Sequence, residues 1–153
     1  MKIAVAADHA GFPLKQLALD TAQAAGHETA DLGTMGADQP VDYPDTARAA
    51  AEAIRSGAAD RAIIVCGSGA GVAVAASKFP GVRAAVAHDT YTAHQAVEHD
   101  DVNVLCLGGR IVGTALAEEI LRTFLAAEFS GEERHRKRLA KVKAIETEFS
   151  REV

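Results

Sequence analysis

The sequence predicts an α/β fold, a parallel sheet covered by helices on both faces, and three observations carry that prediction. Short runs rich in β-branched residues and alanine alternate with longer helical segments five times along the chain. Several of these runs are too short for a helix and nearly continuously apolar, as a strand buried on both faces has to be. Most of them end in glycine or polar residues, where an open parallel sheet places its ligand crevice. The 153 residues suit one domain, 1–153, and 48% hydrophobic content is enough to build its core.

The first strand is KIAVAAD, 2–8. Pro13, tolerated in the first turn of a helix, precedes LKQLALDTAQAAG, where Leu14, Leu17, Ala18 and Thr21 share a face and Gly26 marks the stop. HETADLG, 27–33, reads as a second strand. TMGADQPVDYP, 34–44, is a loop longer than a routine connection, and loops of that length tend to carry function. Asp45 is placed to cap a second helix ending near 56. RAIIVC, 61–66, is the clearest strand and runs directly into GSGAG at 67–71. A short helix over 72–78, a strand over 82–87, a helix over 90–98, a strand over 103–108 and a long amphipathic helix over 111–127 complete the doubly wound pattern. A last helix, 132–149, carries Leu139, Val142, Ile145 and Phe149 at spacings of three, three and four. It either covers its own domain or docks on another subunit.

Charge and cysteine usage narrow the function classes. A formal charge of −5 argues against a general nucleic-acid binder, which would need an excess of Lys and Arg. No run approaches the roughly 20 apolar residues of a membrane span. The segment MKIAVAADHAGF reaches Asp8 and His9 too soon for a signal peptide, so the expected compartment is the cytosol. Cys66 and Cys106 form no disulfide framework and no CxxC metal pair, and both are expected as reduced thiols.

The polar residues that follow the strands form the candidate site. Asp8 and His9 follow the first strand, Cys66 and GSGAG the third, His88 and Asp89 the fourth, and Gly108, Gly109 and Arg110 the fifth. Glycines at 67, 69 and 71 remove β-carbons where backbone N–H groups can converge on an anion. The loop is neither the dinucleotide fingerprint, since Val72 stands where that motif needs glycine, nor a phosphate loop with its lysine. A tight strand-to-helix turn would use the same glycines. Cys66 is either the last packed residue of its strand or a base or nucleophile, because a helix N-terminus favours the thiolate. Cys106, between Leu105 and Leu107, is expected to be packed. His9 and His99 are candidate proton carriers, and the five-residue separation of His94 and His99 suits helical zinc binding poorly. ERHRKRLAKVK, 133–143, concentrates basic residues in an acidic chain. A solvated helix face explains most such runs, but Arg134 and Arg138 lie four apart and can grip one phosphate together.

Taken together, AADHAGF, DLGT followed by DYPD, VCGSGAGVAVAASKFPGVRAA, EHDDVNVLCLGGRIVG and ERHRKR resemble the type B ribose-5-phosphate isomerases, whose wider family includes allose-6-phosphate and galactose-6-phosphate isomerases. The resemblance covers nearly the whole chain. It implies a Rossmann-like three-layer α/β/α sandwich, a five-stranded sheet with an extra C-terminal helix, and a homodimer or homotetramer with interfacial sites. It implies no metal and no organic cofactor. By position it makes Cys66 the base between C2 and C1, Gly67, Ser68, Gly69, Ala70 and Gly71 the anion hole, and Ser68 a helper in moving a proton between the sugar oxygens. It gives His99 ring opening, sets Asp8 near the ring oxygen or hydroxyls, makes His9, Arg110, Arg134 and Arg138 holders of phosphate or sugar, and lines the pocket with Tyr43. Two positions depart from the family pattern: Val72, where one branch carries a glutamate base, and Asp100, where asparagine is common. Other readings are a regulatory domain binding nucleotide through GSGAG and Asp89, and an RNA-associated protein using the basic helix.

Overall fold

The computed structural model describes residues 1–150. In chain order its elements are β1 (Lys2–Ala7), α1 (Phe12–Ala24), β2 (Glu28–Asp31), α2 (Tyr43–Arg55), β3 (Arg61–Cys66), α3 (Ala70–Ala76), β4 (Ala84–Val86), α4 (Thr90–Asp100), β5 (Val104–Gly108), α5 (Thr114–Ala126) and α6 (Glu133–Phe149). All strand pairs are parallel, in the order β2-β1-β3-β5-β4. The outer strands are therefore β2 and β4, with β5 inserted between β3 and β4. The α/β sandwich expected from alternation is present.

Side chains on successive strand residues point to opposite faces, so each central strand feeds two cores. Ile3, Val5, Ile63, Val65, Leu105 and Leu107 meet α1, α4 and α5 through residues such as Leu14, Val97 and Phe124. Ala4, Ala6, Ile64, Cys66, Val104 and Cys106 meet α2 and α3 through Ala47, Ala50, Ala51, Val72 and Ala76. The second layer is dominated by small residues, which lets both helices lie close to the sheet.

Element boundaries differ from the sequence expectation where proline and glycine act locally. The second helix begins at Tyr43, not after Asp45, and carries Pro44 in its first turn. Asp42 holds the cap position, with its carbonyl accepting from Asp45 N–H at 3.0 Å. Proline at the start of a helix sacrifices only an N–H that has no partner there. This early start carries Tyr43 to the sheet's carboxyl edge. The third helix likewise starts at Ala70, inside the glycine loop, after Gly69 adopts φ 81°.

Helix α6 divides along its length. His135 and Leu139 are buried, whereas Val142, Ile145 and Phe149 stand exposed beside a groove of about 860 Å³ that Val82, Asp100 and Arg138 also line. The apolar stripe thus covers its own domain at one end and leaves a free apolar face at the other. Among the described residues, no helix is long and apolar enough to cross a membrane.

Candidate active site

The carboxyl ends of β1, β3 and β5 converge on a cavity of about 480 Å³ lined by Asp8, His9, Tyr43, Cys66, Ser68 and Arg110, among others. Close backbone approach makes this convergence possible. A β-carbon at Gly11 would lie 1.9 Å from the Val65 carbonyl oxygen, so only glycine lets the start of α1 press against the end of β3. Gly109 N–H donates to the Cys66 carbonyl at 2.7 Å and Arg110 N–H to that of Gly67 at 3.1 Å. These bonds tie the loop after β5 to the glycine loop.

Cys66 is 5% exposed at the floor of the cavity. Its Sγ accepts the Gly69 N–H at 3.0 Å, which fixes the sulfur against the glycine loop. Ser68 Oγ accepts from Ala70 N–H at 3.3 Å. Among the described residues, the N–H groups of Gly67, Ser68 and Gly71 meet no protein acceptor, which leaves donors for an anion beside the thiol. A β-carbon at Gly71 would lie 3.0 Å from the Tyr43 ring, so a side chain there would press on that ring and oblige it to shift. Asp8 is buried, and its Oδ1 accepts from Ala10 and Gly11 N–H, both at 2.9 Å. That pair fixes the carboxylate on the cavity wall.

The other thiol and the fourth strand's polar residues have different surroundings. Cys106 is fully buried, and burial, with the Cys66 charge adding to it, pushes its thiol far above the ordinary range. His88 Nε2 accepts from Gly108 N–H at 2.9 Å and ties the end of β4 to β5. Asp89 caps α4, taking the N–H and hydroxyl of Thr92 at 2.7 Å each, and those bonds hold its carboxyl below the usual range. A residue so engaged is a poor ribose contact, which weakens the nucleotide reading.

The remaining candidates lie elsewhere. Helix α4 starts at the carboxyl end of β4 and runs back, so His99 and Asp100 sit at the amino edge of the sheet, next to the Arg83–Asp101 ion pair of 2.6 Å. Arg134 and Arg138 are exposed on α6, which packs on the end of α4, and Arg134 Nε pairs with Glu132 at 2.8 Å. Within one chain the structure therefore gathers Asp8, His9, Tyr43, Cys66, the 67–71 loop and Arg110 at one edge. His99, Asp100, Arg134 and Arg138 form a second group at the other.

Sequence reasoning missed His135, whose ring stacks on that of His99 at 4.0 Å between centroids. The signal was available in its four-residue spacing from Leu139, which marks the inward face of α6. Among the described residues, no three His, Cys, Asp or Glu side chains are grouped to hold a metal ion.

A thiol among backbone donors suits proton transfer beside a carbonyl whose oxygen gains charge, the chemistry of an aldose–ketose isomerase. Comparison with known proteins agrees. The Ribose/Galactose Isomerase family model matches residues 3–142. The solved structure of Clostridium thermocellum ribose-5-phosphate isomerase B superposes with a TM-score of 0.93 at 46% identity, covering 97% of this chain and 99% of that one. Ribose-5-phosphate isomerase B of Escherichia coli is 40% identical over 145 residues, 95% of this chain and 96% of that protein. D-erythrulose-4-phosphate isomerase 2 of Mycolicibacterium smegmatis is 40% identical over 131 residues, 84% of this chain and 86% of that protein. The fold and these relatives define a sugar phosphate aldose–ketose isomerase. The chain belongs to the ribose/galactose isomerase family.

Proposed function

We propose that this protein interconverts ribose 5-phosphate and ribulose 5-phosphate, with Cys66 as the base and a site completed by a second copy of the chain. The observation that carries the chemistry is the Cys66 sulfur, 3.0 Å from the Gly69 nitrogen and flanked by N–H donors that have no acceptor among the described residues. In the open-chain aldose, the thiolate takes the C2 proton and charge passes to the carbonyl oxygen. The N–H groups of the 67–71 loop stabilise that oxyanion, and one such donor is typically worth about 10²–10³ in rate. Ser68 helps move a proton between O1 and O2, and the thiol returns its proton to C1 to give the ketose. Asp8 and His9 contact the sugar from the cavity wall.

Ring opening by His99 and phosphate binding by Arg134 and Arg138 need those residues at the same cavity. The exposed apolar half of α6 offers a surface through which a second copy can bring them there. Arginines remote from the reacting carbons anchor the phosphate and position C1 and C2. Arg138→Ala is accordingly expected to raise KM about tenfold or more with a smaller change in kcat. An unchanged KM would remove Arg138 from the phosphate site.

The relatives named for ribose 5-phosphate support a five-carbon substrate, and the one named for a four-carbon ketose phosphate sets the competing choice. The test is a panel of four-, five- and six-carbon aldose and ketose phosphates, scored by kcat/KM. Ribose 5-phosphate is expected to lead; a stronger four- or six-carbon substrate reassigns the sugar, and turnover of none rejects the reading. The extra negative charge of Asp100 is the residue-level reason to run the whole panel.

A further inference from the structure

His135 is 1% exposed, an unusual position for a histidine on a helix whose neighbours Arg134, Arg136, Lys137 and Arg138 are all exposed. Its ring lies on the His99 ring at 4.0 Å with 27° between the planes. One ring edge is fixed: Nδ1 is 2.6 Å from Ser130 Oγ, and that oxygen also accepts from Glu132 N–H at 3.2 Å. Nδ1 and the hydroxyl share one hydrogen bond whichever of the two carries the proton, so this edge is held in either ring tautomer. Among the described residues, Nε2 has no partner. Burial, reinforced by the charges of His99 and Arg134, lowers the pKa of His135 and favours its neutral ring. A neutral, buried plane anchored at one edge is a rigid seat for the residue stacked on it. On α4 itself, Glu98 Oε2 approaches His99 Nε2 only to 3.7 Å and instead pairs with His94 Nε2 at 2.9 Å.

We infer that His135 is a positioning residue: its ring, locked by Ser130, sets the plane of the His99 imidazole through stacking. The inference rests on the proposed role of His99. It explains why a histidine sits buried between the two arginines assigned to phosphate, since α6 then carries the phosphate grip and the seat for the ring-opening residue as one unit.

The test pairs His135→Phe, which keeps a flat ring, with His135→Leu, which fills the space without one. Each is assayed on the best substrate of the sugar phosphate panel and titrated with inorganic phosphate as a competitive inhibitor. The Leu variant is expected to lose roughly tenfold or more in kcat, because small misplacements of a reacting group are costly, while the Phe variant stays within about threefold. The phosphate inhibition constant is expected to stay within about twofold of wild type for both. Equal kcat for the two variants, at any level, overturns the stacking role. A weakened phosphate constant that tracks the kcat loss overturns it too, since it marks His135 as a general anchor for α6. His99→Asn, run alongside, separates the two claims: a fully active Asn variant defeats the proposed role of His99 itself, whereas an impaired one beside an unaffected Leu variant defeats only the seat.

Discussion

Cys66→Ala is expected to cut kcat by roughly 10²- to 10⁴-fold, the range a positioned general base contributes. The fold should survive the change. The substitution removes one sulfur from the alanine-rich core layer and leaves Gly69 N–H without its acceptor, a cost of about 1–3 kcal/mol against a domain stability of about 5–15 kcal/mol. Inorganic phosphate should still compete, because the groups assigned to phosphate are untouched. Cys106→Ala supplies the control. Both thiols border the same core, but Cys106 lies within β5 and burial keeps it protonated, so its removal should lower the melting temperature while kcat stays within a few-fold. Kinetics and thermal unfolding of the two variants measure the contrast, and near-normal turnover by Cys66→Ala would reject the assigned base.

That contrast shows which parts of the site the sequence makes legible. Residues immediately after a strand are fixed in place by the strand, so Asp8, Cys66, the 67–71 loop and Arg110 could be assigned to one edge from the β/α alternation alone. Tyr43 was harder, since its place depends on α2 starting early at a proline that also suits a loop. The insertion of β5 between β3 and β4 leaves no local mark, because strand pairing is decided by long-range packing of apolar runs that look alike. His99 reads as another residue at a sheet end, and it is, but at the opposite end from Cys66. Its position depends on the length and direction of α4 and not on any motif. The His135 seat was obscured by the charges around it, which dominate the pattern of ERHRKR.

The separation of His99 from Cys66 leads to the sharpest test of assembly. Helix α4 has 11 residues and spans roughly 16 Å at 1.5 Å per residue, running from the carboxyl edge of the sheet toward the amino edge. Neither a cysteine nor a histidine side chain bridges such a gap, so one site using both residues must draw them from two copies. In a two-fold dimer each copy then lends His99 to its partner's cavity, and the exposed Val142, Ile145 and Phe149 give the copies an apolar face to bury. In the proposed dimer, the Cys66→Ala and His99→Asn variants are each expected to be severely impaired when present alone. Coexpressed with different tags and purified through both, they should yield a heterodimer with one doubly damaged site and one intact site, hence about half of wild-type activity. If both residues served from a single chain, every site in that heterodimer would carry one lesion and its activity would stay near the average of the two impaired parents.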